Sequence, residues 1–414
     1  MGNTPKLRFA GFEGDLEERK LRELMTFQNG FNGSQDSFGD GIPLISVMDV
    51  LATDFITYDS IRGCARLSPE EQERFSVKFG DVLFQRSSEN YEDAGSSNIY
   101  LDREKPASFG GFVIRGRKTV EYDPIYMRYL LSSALVRGQI MSKAQGAQHI
   151  NVSQDILSSL SIHIPTMQEQ AQIGKSIYNL DQLITLHQHK CKVLETAKRF
   201  YLQNIFPQKD ERTPKMRFDG FTGDWEQRKL KDVIISFEYG LNAAAKEFDG
   251  TNKYLRITDI DDDSRFFRTD DLTSPDTDLS IADNYLLHEG DVLFARTGAS
   301  VGKSFIYRES DGRVYFAGFL IMARVKPGYC ADFIFQNTLT TQYKKFIQIT
   351  SQRSGQPGVN AKEYGEYSFL MPNYTEQERI GNFLYRIDNL ITLHHRKVNT
   401  LQTMKQFLLQ NMFV

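Results

Sequence analysis

The chain contains 414 residues with a formal net charge of −3; 25% of them are charged and 40% are hydrophobic. This composition indicates a folded protein of two or three domains, and it excludes a uniformly polybasic nucleic-acid binder while allowing local basic loops. No apolar run is long enough to span a membrane, and the three isolated cysteines predict a reducing, cytoplasmic location.

The predicted elements mix strands and helices, which indicates an α+β protein. In the first part of the chain, "PLISVMDV", "DVLFQRS" and "GGFVIRGRK" have the pattern of strands, and a helix is expected with Asp123 as N-cap and Pro124 in its first turn. A long helical segment follows Pro165. The later strands are predicted at "YLRITDI", "DVLFARTG", "KSFIYRE" and "VYFAGFLIMARV". A matching helix is expected from Asp332, and a second long helix follows Pro372.

The sequence repeats itself. "TPKLRFAGFEGDLEERKLREL" begins at Thr4 and returns as "TPKMRFDGFTGDWEQRKLKDV" at Thr213, 209 residues later; we name this segment the opening motif. "GDVLF" recurs 210 residues later, and the long helical segments recur 207 residues apart. The repeat predicts two half-units, each a globular domain followed by a helix. The predicted boundaries are 1–163 and 209–370 for the globular domains, and 164–208 and 371–414 for the helices.

Each long helix carries a seam of residues that alternate in steps of four and three, the pattern of a coiled coil. Thr375 and Glu378 have the spacing of a capping box at the start of the second helix. The two histidines of the seam are interpreted as polar residues that fix register, and no ligand pair at i, i+4 supports a metal site. The predicted seam consists of Ile173, Ile177, Leu180, Ile184, His187, Leu194, Ile380, Leu384, Ile387, Ile391, His394 and Leu401.

The two helices are expected to pair with each other in antiparallel fashion, because the second globular domain connects the end of one to the start of the other. Each helix has roughly 38 residues and a length of about 57 Å. The expected molecule is an intramolecular coiled coil with one globular domain near each end.

The segment "RTGASVGKS", from Arg296 to Ser304, is similar to a nucleotide-binding phosphate loop but lacks its spacing. Such a loop needs four residues between its first glycine and Gly-Lys, whereas only three residues separate Gly298 from Gly302. The following "SFIYRES" alternates like a strand rather than opening a helix. The open alternatives are a hairpin turn and a loop that binds another polyanion.

The chain shows none of the motifs expected of a DNA methyltransferase, a nuclease, a metalloprotease or a serine hydrolase, which predicts a protein that is non-catalytic by itself. The internal repeat, the "GDVLFQR" and "GDVLFAR" strands, and the helix starts "PTMQEQAQIGKSIYNLDQLI" and "PNYTEQERIGNFLYRIDNLI" resemble the specificity (S) subunit of type I restriction-modification systems. The resemblance covers essentially the whole chain.

The resemblance implies a fold and a function. Each globular domain would be a target recognition domain that reads one half of a split site in double-stranded DNA. The paired helices would dock two methyltransferase (modification) subunits, and two restriction subunits would join them in phage defence. S-adenosylmethionine, ATP and Mg²⁺ are expected on those partner subunits, and no cofactor or metal is expected on this chain.

If the resemblance holds, the candidate DNA contacts are polar residues of two kinds. Some directly follow the predicted strands, and the others lie in a further loop of each domain. Arginine can fork onto guanine, and asparagine or glutamine onto adenine. Lysine, serine and threonine can bond phosphate. The first domain lacks the Gly-Lys of the second, so Lys303 has no counterpart. The candidates are Asn32, Gln85, Arg86, Ser87, Ser88, Asn90, Lys143, Gln145, Gln148 and His149 in the first domain, and Asn242, Arg296, Thr297, Ser300, Lys303, Arg353, Ser354, Gln356 and Asn360 in the second.

The alternative function is a non-catalytic coiled-coil scaffold that binds proteins only. Retention on heparin or duplex DNA discriminates the two hypotheses, because a pure scaffold would be insensitive to changes at Arg86 and Arg296.

Overall fold

The structure, a computed structural model, describes residues 4–144, 146, 149–353 and 355–414. Its contacts divide the chain into two units. Unit 1 runs up to Leu186 and includes Val398–Val414, and unit 2 is His187–Lys397. Each unit therefore contains one globular domain and one stretch of each long helix. Within the described ranges, no helix is both long enough and apolar enough to cross a membrane.

Unit 1 is an α+β domain built around a four-stranded antiparallel sheet of order β2-β9-β5-β7. A second sheet has the order β4-β3-β8, and β1 pairs with β11. The strands are β1 (Glu17–Lys20), β2 (Met25–Asn29), β3 (Phe38–Ile45), β4 (Gly63–Ala65), β5 (Val82–Gln85), β6 (Ser87–Ser88), β7 (Ser97–Ile99), β8 (Ser108–Phe109), β9 (Val113–Lys118), β10 (Ile150–Asn151) and β11 (Ser161–Ile164). The helices are α1 (Leu21–Leu24), α2 (Val47–Val50), α3 (Pro69–Arg74), α4 (Pro124–Ser132), α5 (Ala134–Lys143) and α6 (Gln154–Ser158).

Two long helices of 38 residues each complete the chain. Helix α7 (Met167–Asn204) begins in unit 1 and ends in unit 2, and α12 (Tyr374–Asn411) begins in unit 2 and ends in unit 1. In unit 1 the core between β5, β9 and α4 extends onto both helices through Ile173 and Leu408.

Unit 2 repeats this plan with a sheet of order β13-β20-β17-β18. Its strands are β12 (Glu226–Lys229), β13 (Ile234–Tyr239), β14 (Ala244–Glu247), β15 (Lys253–Leu255), β16 (Thr273–Asp276), β17 (Val292–Ala295), β18 (Ser304–Ile306), β19 (Val314–Phe316), β20 (Leu320–Val325) and β21 (Ser368–Met371). Its helices are α8 (Leu230–Val233), α9 (Ala331–Asn337), α10 (Thr341–Thr350) and α11 (Ala361–Gly365). The strand β18 confirms that "KSFIYRE" does not open a helix.

The predicted single helices after Asp123 and Asp332 are each two helices. Asp123 caps α4 as expected, accepting a hydrogen bond from the Tyr126 N–H at 2.8 Å. The helix then breaks because the Ser133 hydroxyl caps a new one, α5. Thr340 does the same for α10. Hydroxyl side chains compete with the helical hydrogen bonds, which favours such a restart.

The start of α12 also differs from the prediction. The helix begins one residue before Thr375, and the Asn373 side-chain oxygen accepts from the Glu376 N–H at 3.0 Å. The predicted capping box of Thr375 and Glu378 is therefore wrong, because Asn373 already caps the first turn.

The opening motif of unit 1 ties the long helices together. Arg8 forms two hydrogen bonds to the buried carboxylate of Glu169, at 2.7 and 2.8 Å, in the first turn of α7. The neighbouring Leu7 N–H donates to the carbonyl of Asn411, the last residue of α12, at 2.9 Å. The motif thus joins the beginning of one helix to the end of the other.

Unit 2 makes the same joint with the helices exchanged. Arg217 forms two hydrogen bonds of 2.7 Å to Glu376 in the first turn of α12. The Met216 N–H donates to the carbonyl of Asn204, the last residue of α7, at 2.9 Å. This shared structural task explains why both copies of the opening motif contain this arginine.

The two helices pair in antiparallel fashion, as predicted. In unit 2, His187 lies beside His394, with 2.9 Å between their Nδ1 atoms, and the salt bridge of Lys198 and Asp388 lies farther along. In unit 1 the equivalent salt bridge joins Lys405 to Asp181 at 2.6 Å.

The structure buries most of the seam side chains. Those buried are Ile173, Ile177, Leu180, Ile184, Ile380, Leu384, Ile387 and Ile391, and those half-buried are His187, Leu194, His394 and Leu401.

Candidate nucleic-acid interface

Three segments of unit 1 meet at Arg86, directly after the central strand β5. The Arg86 N–H donates to the Phe112 carbonyl at 2.9 Å, and the Arg86 carbonyl accepts from the Val152 N–H at 2.8 Å. The strand Ser87–Ser88 pairs with Ile150–Asn151. The loop after β5, the turn before β9 and the segment before α6 therefore form one backbone platform, although they are distant in sequence.

Unit 2 builds the same platform at Arg296. Its N–H donates to the Phe319 carbonyl at 3.0 Å, and its carbonyl accepts from the Val359 N–H at 2.9 Å. Thr297 forms a β-bridge with Gly358, the counterpart of the β6–β10 pair. We call these two sites platform 1 and platform 2.

Each platform presents a half-buried arginine. The Arg86 Nη1 donates to the Gly111 carbonyl at 3.4 Å, and the Arg296 Nη1 donates to the Gly318 carbonyl at 3.5 Å. The Arg296 guanidinium also lies over the Tyr239 ring, 4.9 Å from its centroid. Among the described residues, one long side-chain hydrogen bond is all that each guanidinium makes, so its fork can still engage a base edge or a phosphate.

An exposed asparagine lies beside the glycine whose carbonyl accepts from each arginine. Asn32 follows Phe31, whose N–H donates to the Phe109 carbonyl at 2.9 Å, and Asn242 follows Leu241, which bonds in the same way to Phe316 at 2.8 Å. These bonds hold the loop after the first sheet strand against the turn that precedes β9 or β20.

Asn32 packs closely on its platform. A Cβ atom added to Gly111 would lie 1.6 Å from its side-chain oxygen, so the glycine leaves the space that this side chain occupies.

Each platform also carries an exposed phenylalanine that the sequence reasoning missed. The exposed fraction is 70% for Phe112 and 65% for Phe319. The signal was present in the sequence, because "FGGF" from Phe109 and "FAGF" from Phe316 place both residues 207 positions apart, on the same turn of each repeat. Alternation along the strand predicts that one of two neighbouring residues faces outward, but the turn decides which one.

Two predicted contact residues are turned inward. Gln85 is buried, and its Nε2 donates to the Ser87 carbonyl at 3.0 Å. Lys303 is 7% exposed; its ammonium donates to the Ile260 carbonyl at 2.7 Å and pairs with Asp262 at 2.6 Å. This contact lowers the pKa of the Asp262 carboxyl, first through the hydrogen bond to Lys303. Neither side chain reaches the exposed surface of its platform, so we leave both out of the proposed DNA contacts.

The remaining candidates lie around the platforms. Lys143 donates to the Ser159 hydroxyl at 2.9 Å, Asn90 donates to Asp93 at 3.0 Å, and Asn360 caps α11, accepting from the Glu363 N–H at 2.9 Å. Arg353 pairs with Glu363. Exposed or half-buried are Ser87, Ser88, His149, Thr297, Ser300 and Gln356, while Gln145, Gln148 and Ser354 lie outside the described residues.

The helix pair presents a second surface. In unit 1, Leu183, Leu186, Met404 and Phe407 are exposed, and each immediately precedes a position of the seam or of its continuation in steps of four and three past Leu401. In an antiparallel pair, the residues that precede the seam on the two helices lie on the same side, because one helix is reversed relative to the other. Unit 1 therefore carries an apolar face on one side of its helix pair, which we call apolar face 1.

Unit 2 carries the equivalent face. Val193, Phe200, Leu390 and Leu393 are exposed and also precede positions of the seam or of its continuation past Leu194; we call them apolar face 2. Three positions of the two faces correspond at an offset of 207 residues, as the repeat requires.

In the part of the chain that the structure describes, no group of three or more His, Cys, Asp or Glu is arranged to hold a metal ion.

The fold and these surfaces define a duplicated recognition protein, with one polar platform and one apolar helix face in each unit. The sequence model of the family described as "Type I restriction modification DNA specificity domain" matches residues 13–196 and 222–403. The chain therefore belongs to the type I restriction-modification DNA specificity family. This membership confirms the predicted class, a specificity component that is non-catalytic by itself.

Similar proteins agree with this assignment. The MjaVIII type I restriction enzyme specificity subunit of Methanocaldococcus jannaschii is 23% identical over 326 residues, which is 76% of this chain and 75% of that protein. The putative MjaX specificity subunit of the same organism is 24% identical over 237 residues and 55% of each chain. The crystal structure of a type I S subunit from M. genitalium matches with a TM-score of 0.67 and 14% identity, covering 99% of both chains, and so shares the fold.

Proposed function

We propose that this chain reads a bipartite, asymmetric DNA site, one half through each platform, and docks two copies of a methyltransferase subunit and, through them, restriction subunits. The observation that carries the proposal is that one backbone platform is built twice and surrounded by different side chains. A shared frame suits a shared task, and different polar side chains suit different base sequences.

The chemistry of the platforms supports DNA as the ligand. A guanidinium fork matches the O6 and N7 acceptors of guanine or a phosphate, and an asparagine amide matches the N6 and N7 edge of adenine. Arg86 with Asn32, and Arg296 with Asn242, provide these two groups side by side. The polar side chains around these pairs differ between the units and would therefore contact different base atoms. They are Ser87, Ser88, Asn90 and His149 in unit 1, and Thr297, Ser300, Gln356 and Asn360 in unit 2.

The repeated apolar faces support docking of one partner at two places. Exposed leucine and phenylalanine side chains on a helix pair favour contact with another protein, because their burial stabilises an interface by about 25 cal/mol per Å². Since the faces correspond through the internal repeat, the same surface of two identical partner chains would fit both.

The reading of half-sites is tested by exchanging residues 20–160 for the equivalent segment of another member of the family. We expect the genomic methylation pattern of a strain that carries the hybrid to change in one half-site only, because platform 2 is untouched. The reciprocal exchange within 230–367 is the matched control and should change the other half-site. Changes in both half-sites after one exchange would contradict independent reading.

Docking is tested by the mass of the assembled complex with Leu183→Asp and with Leu390→Asp. Each variant places a charge in one apolar face and should release one methyltransferase copy, because an unpaired charge is costly in an apolar contact. Thr185→Asp is the control, since Thr185 is exposed and follows a seam residue, on the other side of the helix pair. Retention of two copies by both leucine variants would refute this docking surface.

A further inference from the structure

We propose that Phe112 and Phe319 are apolar DNA contacts, each a wedge that stacks on a base of the half-site read by its unit. The inference rests on the proposed function and adds a recognition element that hydrogen-bonding groups do not supply. Phenylalanine is among the side chains that proteins insert against base steps, and an aromatic ring can stack on any base.

The first observation is the exposure of both rings at equivalent positions. Phe112 is 70% and Phe319 65% exposed, although the residue that follows each of them, Val113 or Leu320, is fully buried in the sheet. The polar side chains around the platforms differ between the repeats, for example Asn90 in one and Ser300 in the other, whereas the exposed ring is the same. A common element within two different reading surfaces suits a contact that does not depend on the base sequence.

The second observation is that hydrogen bonds fix the backbone turn that carries each ring. In unit 1 the Val113 N–H donates to the Gly110 carbonyl at 2.9 Å, and the Phe112 carbonyl accepts from the Arg86 N–H at 2.9 Å. In unit 2 the Leu320 N–H donates to the Ala317 carbonyl at 2.8 Å. A ring on a fixed turn loses little conformational freedom on binding, which favours its use as an anchor.

The third observation is the polarity of the surroundings. Each ring follows the glycine whose carbonyl accepts from the platform arginine, so the guanidinium is hydrogen-bonded to the peptide group that precedes the ring. A duplex offers phosphates beside base faces and complements this pair of groups. A protein partner would favour an apolar surface such as the helix faces, whereas the residue before Phe112, Gly111, lies against the polar side chains of Asn32 and Arg86.

The experiment uses the chain assembled with its methyltransferase and a duplex carrying the site found from the methylation pattern of the host strain. 2-Aminopurine is placed at successive positions of both half-sites. Phe112→Ala should weaken binding roughly 5-fold to 150-fold, the range that corresponds to the loss of one stacked base. In the Phe112→Ala complex, the 2-aminopurine fluorescence change on binding should disappear in the half-site read by unit 1, which is the half-site that changes when residues 20–160 are exchanged. In the Phe319→Ala complex, it should disappear in the other half-site.

Two control variants remove exposed apolar side chains at positions away from the platforms. Val120→Ala lies beyond the far end of β9, and Ile235→Ala lies beside the far end of β20; both side chains are exposed, and neither change should alter affinity or fluorescence. Phe112→Leu retains an apolar group without a ring face and should recover only part of the affinity.

The outcomes separate the inference from the proposed function. If the wild-type complex neither methylates nor binds a specific duplex, the proposed function fails. If it binds and Phe112→Ala and Phe319→Ala bind equally well with unchanged fluorescence, the wedge is refuted while DNA reading stands. If either variant loses a methyltransferase copy with DNA affinity unchanged, the ring is a protein contact and the inference is overturned.

Discussion

Replacing Arg217 with methionine is expected to lower the free energy of unfolding of unit 2 by about 3–5 kcal/mol. The reason is the burial of its partner. The Glu376 side chain is 0% exposed, and both of its carboxylate oxygens accept from Arg217 at 2.7 Å. Loss of the guanidinium leaves a buried charge without compensation, which is the costly way to break an ion pair.

The double variant Arg217→Met/Glu376→Met should recover most of this loss, to within about 1 kcal/mol of wild type, because an apolar pair avoids the desolvation of both charges. The carbonyls of Thr222 and Gly223, which Arg217 also contacts, lie in an exposed turn where water can replace it. The single variants Arg217→Met and Glu376→Met and the double variant form a cycle that isolates the energy of the pair.

The assay uses the single tryptophan of the chain. Trp225 is 2% exposed in the core of unit 2, where it packs against Phe206 and Phe333, so its fluorescence during urea unfolding reports on that unit. Arg228→Met is the control, because Arg228 pairs with Glu226 on the surface and should cost less than about 1 kcal/mol. A loss below about 1 kcal/mol for Arg217→Met, or a double variant as unstable as the single one, would refute the reasoning.

Gly111→Ala should slow methylation at the half-site of unit 1, because the added Cβ atom would displace Asn32. Gly318→Ala is the control and should be tolerated, since the nearest atom to its added Cβ lies at 3.4 Å. Equal methylation rates for the two variants would contradict this prediction. Acidification should destabilise the seam at the histidine pair, since burial and the neighbouring His187 lower the pKa of His394 below its usual value. The stability gained from the neutral form is present above the pKa of the unfolded state and is lost as the pH falls through the folded value. Thermal unfolding between about pH 7.5 and pH 5 should show this loss. The His187→Leu/His394→Leu variant should show less of it, and an unchanged pH profile in that variant would assign the loss to other groups.

The duplication, the α+β class and the helix seam could be predicted from the sequence. Steps of four and three are a local property of a helix, and the pairing of two such seams needs only a shared apolar face. Because the sequence repeats, each element predicted in the first half of the chain could be compared with its counterpart in the second half. The repeat, the recurring "GDVLF" strands and the two similar helix starts carried the resemblance to the family.

The tertiary structure alone decided which polar residues form the platforms. Hydrogen bonds between distant segments bring Arg86 to Phe112 and Val152, and no local pattern encodes that meeting. The same packing turned Lys303 inward to Asp262 and left Phe319 outside. The orientation of a side chain at a turn depends on what the rest of the fold packs beneath it, so a sequence can nominate contact residues but the assembled core selects among them.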